Sequence, residues 1–212
     1  GDWKGIRGIY QAPAQAVSAK LELVLRWVST GSVLFRETAF EETDPPESRK
    51  VKVAAVHFRP VDSRSARENL EKFAGYIEKA GAENADIVLL PEGITLVGTG
   101  KSYLESAETI PGPSSGFLSE IARKNNLYLV ANIYEREEEA VYNTSILLDR
   151  RGQIAGKYRK VSLPREEIDG GLTPGKSFPV FDTDFGRIGL MTCWDVFFPE
   201  SARSLAGKGA EI

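Results

Sequence analysis

The spacing of apolar and polar positions changes character near residue 50. Before it, Leu21, Leu23, Leu25 and Trp27 fall on every second position, which predicts a half-buried strand over residues 16–27. Residues 5–10 and 31–40 read as two further strands, the second after a Ser-Thr-Gly turn. Three strands and no helix predict the last part of an antiparallel β-sandwich over residues 1–47. Residues 41–50 are charged and carry Pro45 and Pro46, the texture of a linker.

Beyond the linker the period alternates between strand and helix. Residues 51–58 predict a strand. Ala66, Leu70, Phe73, Ala74 and Ile77 share one helical face, so a helix is expected from about Ser63 to Ala80, with Gly81 placed to help end it. Asp86-Ile87-Val88-Leu89-Leu90 is a continuous apolar run, the mark of a strand covered on both faces. A loop over residues 93–112 precedes a second helix over about 114–125, with Phe117, Leu118, Ile121 and Ala122 inward. Strands are expected at 128–134, 142–149, 154–159, 178–181 and 187–192, and a helix at 199–206. A β-α-β opening of this kind is right-handed almost without exception.

Composition narrows the function classes. The chain has 212 residues, a net charge of −3, one Cys and one His. That charge leaves no electrostatic footprint for nucleic acid or a membrane surface. A single Cys forms no intrachain disulfide and builds no Cys-rich metal site, and a single His, His57, makes a common catalytic zinc site unexpected. His57 itself is expected as a partly buried strand residue. No apolar stretch approaches the ~20 residues of a transmembrane helix. The chain opens on Gly1 without Met and stops at Gly209-Ala210-Glu211-Ile212, which reads as the opening of a strand, so a fragment is expected and localisation stays open.

Three positions carry candidate chemistry. Cys193 stands where the apolar run Ile188–Met191 has ended and Pro199-Glu200 opens a helix. In an open α/β sheet that is where ligands bind, and nearby backbone N–H groups favour a thiolate. A lone Cys is also commonly a small buried hydrophobe. Glu92 follows the apolar strand in Leu89-Leu90-Pro91-Glu92-Gly93, where poor solvation is expected to raise its pKa and suit it to general-base work. Lys160 ends a strand in Lys157-Tyr158-Arg159-Lys160, where an ammonium can hold a developing oxyanion. Arg159 is expected on the opposite face.

This acid, base and thiol, in this order and these contexts, resemble the nitrilase (carbon–nitrogen hydrolase) superfamily over about residues 51–212. The motifs are LLPEG, YRKVSLP and GLMTCWDVFFPE, with Asn69, Pro199, Glu200 and Arg203 also at positions where members carry them. The resemblance implies an α/β fold, a four-layer α-β-β-α sandwich of nitrilase type. With the strand pattern of 1–47 read as an accessory β-sandwich, it implies a truncated hydrolase domain at 48–212. Its implied site is catalytic Glu92, Lys160 and Cys193 and a second glutamate, Glu167 with Glu166 as alternate. Trp194 is implied to shape the pocket and to donate its backbone N–H to an oxyanion. The implied reaction is C–N bond cleavage in a small amide or N-carbamoyl compound through a cysteine thioester. No metal or organic cofactor is implied, and no nucleic acid or membrane partner. Homo-oligomerisation of the full-length protein is implied.

Members that cleave nitriles commonly carry Cys-Trp-Glu where this chain has Cys193-Trp194-Asp195, so the resemblance favours amides. Nitrile hydrolysis by the same residues is the alternative. The strands of residues 1–47 resemble the end of a galactose-binding-like sandwich, which implies a glycan partner. A glycan-binding protein with an inactive hydrolase-like domain is therefore the reading from a different class.

Overall fold

The structure is a computed structural model and describes residues 3, 5, 8–24, 29–45 and 49–212. The chain divides into two units, Gly1–Arg49 and Lys50–Ile212.

In the first unit no described residue lies in a strand or helix. The expected strand at 31–40 is therefore corrected. The described parts of 5–10 and 16–27 are likewise without strand, while residues 6, 7 and 25–27 lie outside the described residues. The physical reason is that alternation supplies an apolar face but not a partner. A strand exists only when its N–H and C=O groups meet a neighbour's. Tyr10, Val17, Leu34 and Phe40 are all well exposed.

The second unit is a mixed α/β fold. Its elements are β1 (Val53–Ala55), α1 (Ala66–Ala82), β2 (Ile87–Leu89), α2 (Tyr103–Ser106), α3 (Pro113–Asn125), β3 (Tyr128–Glu137), β4 (Ala140–Leu148), β5 (Ile154–Arg159), α4 (Arg165–Asp169), β6 (Val180–Thr183), β7 (Gly186–Gly189) and α5 (Pro199–Gly207). A 3-10 turn, Cys193–Phe197, precedes α5. β1 to β5 form one sheet in chain order, parallel across β1–β2–β3 and antiparallel across β3–β4–β5. β6 and β7 form an antiparallel pair. Arg187 C=O accepts from Glu211 N–H at 2.7 Å, and Gly189 N–H donates to Ile212 C=O at 2.9 Å, so residues 211–212 lie alongside β7.

The two faces of β3 explain the layering. Leu129, Ala131 and Ile133 pack with Leu70, Phe73 and Ile77 of α1 and Leu118, Ile121 and Ala122 of α3. The alternate residues Tyr128 and Val130 join Leu147 and Tyr158 against Ile188 and Leu190. Successive side chains point to opposite faces, so a strand buried on both carries a continuous apolar run. On the far side of β7, Leu205 of α5 occupies the space beside Gly189, whose absent Cβ would meet Leu205 at 2.9 Å.

Helix ends follow local chemistry. Ser65 Oγ accepts from Glu68 N–H at 3.2 Å and starts α1. Gly81 does not end it. The helix runs to Ala82, and Asn84 takes the left-handed turn at φ +56°. The short α2 inside the expected loop is set by a Ser102–Glu105 capping box, a signal present in the sequence.

Candidate active site

Three chain crossings bring the site together. Glu92 lies just beyond β2, Lys160 directly follows β5, and Cys193 opens the 3-10 turn after β7. Lys160 is almost wholly buried and lies between two carboxylates. Its Nζ donates to Glu92 Oε1 at 2.9 Å and to Glu167 Oε1 at 2.8 Å. Asn143 Nδ2 donates to the same two oxygens, at 2.7 Å and 3.1 Å. The Cys193 thiol lies within electrostatic reach of the Glu92 carboxylate. Glu167 Oε2 is buried without a hydrogen-bond partner.

Burial alone would raise the Glu92 pKa, as the sequence led one to expect. The Lys160 ammonium and the Asn143 amide outweigh burial and hold the carboxyl below its ordinary value, which corrects that expectation. For Glu167 the balance goes the other way. Its burial, with the Glu92 charge nearby, raises it despite Lys160. Burial would lower Lys160, but its two carboxylates raise it instead. Burial and then the Glu92 charge push the Cys193 thiol up. At rest the site therefore holds a protonated thiol beside an ionised Glu92.

Cys193 is exposed and has φ +47°, in the left-handed region. A residue with a Cβ is held there at a cost of about 1–3 kcal/mol, and such positions cluster at functional sites. Its thiol faces a cavity of about 440 Å³. Glu92, Glu167, Tyr103 and Tyr134 line that cavity, with Arg59, Lys101 and Glu166 among the charged residues around it.

The structure brings Glu92, Lys160, Cys193 and Glu167 together. Glu166 is exposed and lines the cavity without reaching Lys160. The Trp194 indole does not line the cavity. It packs on Phe197 with ring centroids 4.9 Å apart. Asn69 is buried and donates to Val97 C=O at 2.7 Å, anchoring the loop that forms one cavity wall. Pro199, Glu200 and Arg203 sit on α5, outside the cavity lining. Arg159 does face the other way, bonding Glu135 and Glu137 and covering the Tyr142 ring. His57 is exposed and lies past the end of β1, so its expected place in a strand is corrected.

Asn143 was missed by sequence reasoning, as was Asn132, which donates to Asn143 Oδ1 at 2.6 Å and accepts from Gly93 N–H at 2.8 Å. The signal was an amide side chain inside each of two apolar strands, where a buried polar group must find partners. Among the described residues no group of three or more His, Cys, Asp or Glu side chains is arranged to hold a metal ion. No described helix is long and apolar enough to cross a membrane.

This fold and its strand-end cluster match known proteins. The pattern of the carbon-nitrogen hydrolase family covers residues 52–212, and the chain belongs to that family. It is 39% identical over 171 residues to a nitrilase of Pyrococcus abyssi, covering 76% of this chain and 63% of the relative. It is 36% identical over 173 residues to the citrullinase of Francisella tularensis, 76% of this chain and 59% of the relative. It is 34% identical over 154 residues to the omega-amidase of Homo sapiens, 68% of this chain and 56% of the relative. The chain thus spans less than two thirds of the length of these curated relatives. A solved Saccharomyces cerevisiae member of the nitrilase superfamily superposes with a TM-score of 0.66 at 32% identity, covering 77% of this chain and 62% of that one. A variant of the amidase of Nesterenkonia sp. AN1, in which acrylamide has added to the active-site cysteine, gives a TM-score of 0.66 at 26% identity over 76% of this chain and 64% of that one.

Proposed function

We propose that this protein hydrolyses the C–N bond of a small carboxamide or N-carbamoyl compound through a thioester on Cys193. The observation that carries the reading is the buried Lys160 ammonium held by Glu92 and Glu167, with both carboxylates and Cys193 lining one cavity. Glu92, ionised at rest, takes the thiol proton as sulfur attacks the carbonyl carbon. The C=O pair moves to oxygen, and the oxyanion is stabilised by the Lys160 ammonium and the backbone N–H of Trp194. Collapse re-forms C=O and breaks the C–N bond as Glu92 returns the proton to the leaving amine. Water, deprotonated by Glu92, then attacks the thioester, and the acid leaves as the thiol regains its proton. Glu167 accepts a second hydrogen bond from Lys160 Nζ and keeps the ammonium fixed. No metal or organic cofactor enters this sequence.

The names of the relatives support an amide or ureido group as the reacting part. The charged rim of Arg59, Lys101 and Glu166 supports a substrate with an ionic tail, a carboxylate above all. Nitrile hydrolysis is the second reading, favoured by the relative named a nitrilase. The Asp195 argument for amides weakens, because Asp195 is fully buried and does not line the cavity. Ammonia release from matched amide and nitrile pairs tests the reading. Faster turnover of nitriles across the panel would reverse the preference, and no release from either would remove the hydrolase.

We further propose the four-layer arrangement for residues 48–212, supported by the two-faced packing of β3 and by Leu205 against Gly189. Residues 1–47 are proposed as part of an accessory module with a glycan partner, supported by their separation from the second unit and their exposed apolar side chains. Glycan capture by a protein lacking residues 1–47 would contradict that role. The full-length enzyme is proposed to be a homo-oligomer, and sedimentation as a monomer would contradict it.

A further inference from the structure

We propose that Asp195 is a positioning residue that fixes the Cys193 thiol relative to the Lys160 ammonium. The proposal rests on the reading of Cys193 as nucleophile and Lys160 as oxyanion donor. Asp195 is fully buried, and its carboxylate reaches both chain segments that carry the site. Oδ2 accepts from the backbone N–H of Thr192, the residue before Cys193, at 3.0 Å. The same oxygen accepts from the hydroxyl of Tyr158, two residues before Lys160, at 2.5 Å. Oδ1 accepts from the backbone N–H of Ser162, two residues after Lys160, at 2.9 Å. One carboxylate therefore clasps Lys160 from both sides along the chain and ties it to the approach to Cys193.

A second contact closes the arrangement. The Asp195 backbone N–H donates to Thr192 C=O at 3.1 Å, making a ring that encloses Cys193 and Trp194. Cys193 sits inside that ring at φ +47°, a conformation that a residue with a Cβ keeps only where its surroundings impose it. Tyr158 is itself fully buried and stacked on Phe178, so its hydroxyl has one place to point. Burial, then the Asp195 hydrogen bond, raises the Tyr158 pKa and keeps it a donor.

The donor pattern explains why the side chain is Asp. All three partners give a proton, so both oxygens must accept. An Asn of the same shape would set its NH₂ against one of these donors. The site around Cys193 would then shift, although no atom that touches the substrate had changed. A misplacement of about 1 Å is enough to cost about a hundredfold in rate.

The test is Asp195→Asn in the full-length protein, with kcat and KM on an accepted amide and the pH profile of Cys193 alkylation by iodoacetamide. The expected result is a fall in kcat of about a hundredfold with KM near wild type and a displaced alkylation profile, in a protein that still melts cooperatively. A folded variant with wild-type kcat and alkylation would overturn the proposal, and so would a lower Tm alone. If Asp195→Asn does not fold, Tyr158→Phe decides. It removes one donor, leaves both backbone donors, and is expected to lower kcat about tenfold, the worth of one hydrogen bond to a charged group. Unchanged kcat in Tyr158→Phe would overturn the proposal. Cys193→Ala separates the two levels: retained turnover there removes the nucleophile reading, whatever Asp195 does.

Discussion

The Lys160 ammonium lies 2.9 Å from Glu92 Oε1, and this contact inverts what burial alone would do to the carboxyl. A glutamate at the end of an apolar strand is expected to be a weak acid. Here it stays ionised and stands beside a thiol whose own pKa is raised. The proton therefore rests on sulfur until attack begins. The proposed mechanism therefore uses general-base transfer to Glu92, in contrast to a preformed thiolate.

That balance sets the acid limb of the pH profile. The working form of Glu92 is the carboxylate, and its pKa lies below the ordinary 4.5. Activity is lost only as pH falls through that lowered value, so the acid midpoint of kcat/KM should lie below 4.5. An acid midpoint near 6 in an otherwise folded enzyme would mean that Glu92 is protonated at rest.

Lys160→Met keeps much of the side-chain volume and removes the charge. Loss of one oxyanion donor costs about a hundredfold or more in turnover. It also leaves Glu92 and Glu167 facing each other without a cation, so at least one should take up a proton near neutral pH. Turnover near wild type would make Lys160 a structural cation only.

Asn143→Ala removes the amide that serves both Glu92 and Glu167. Leaving buried acceptors short of a donor should lower stability by about 1–3 kcal/mol. The pKa of Glu92 should rise, moving the acid midpoint up. Stability loss with an unmoved midpoint would mean that Asn143 supports packing and not the base.

Arg59→Met tests the substrate tail. With a carboxylate-bearing amide, KM should rise about tenfold or more, the worth of a charge-assisted hydrogen bond, while a neutral amide should keep its KM. Equal changes for both would remove Arg59 from recognition.

Much of this was legible in the sequence where physics is local. The helix of Leu70, Phe73 and Ile77, the doubly buried strand at Val88 and the strand-end places of Glu92, Lys160 and Cys193 all follow from periodicity and punctuation. The choice of Glu167 over Glu166 was not fixed, because adjacent residues on a helix point about a quarter-turn apart and only the packing of α4 decides which one meets Lys160. Asn132 and Asn143 were passed over because each stands alone in an apolar run, and their pairing is made by the register of β3 with β4. Asp195 was read only for the choice between amide and nitrile, whereas a tight 3-10 turn carries it inward to Tyr158 and Ser162. The strands of residues 31–40 failed for the opposite reason: the pattern was present and the partner strand was not among the described residues.

The central claim is that Cys193 becomes acylated. The most direct measurement is the intact mass of full-length protein mixed with an accepted amide and quenched in acid within one turnover. A mass gain equal to the acyl group, mapped to Cys193 and absent from Cys193→Ala, is the predicted result, with ammonia released at least as fast as the acid. Steady turnover with no acylated species, or ammonia release by Cys193→Ala at the wild-type rate, would contradict it.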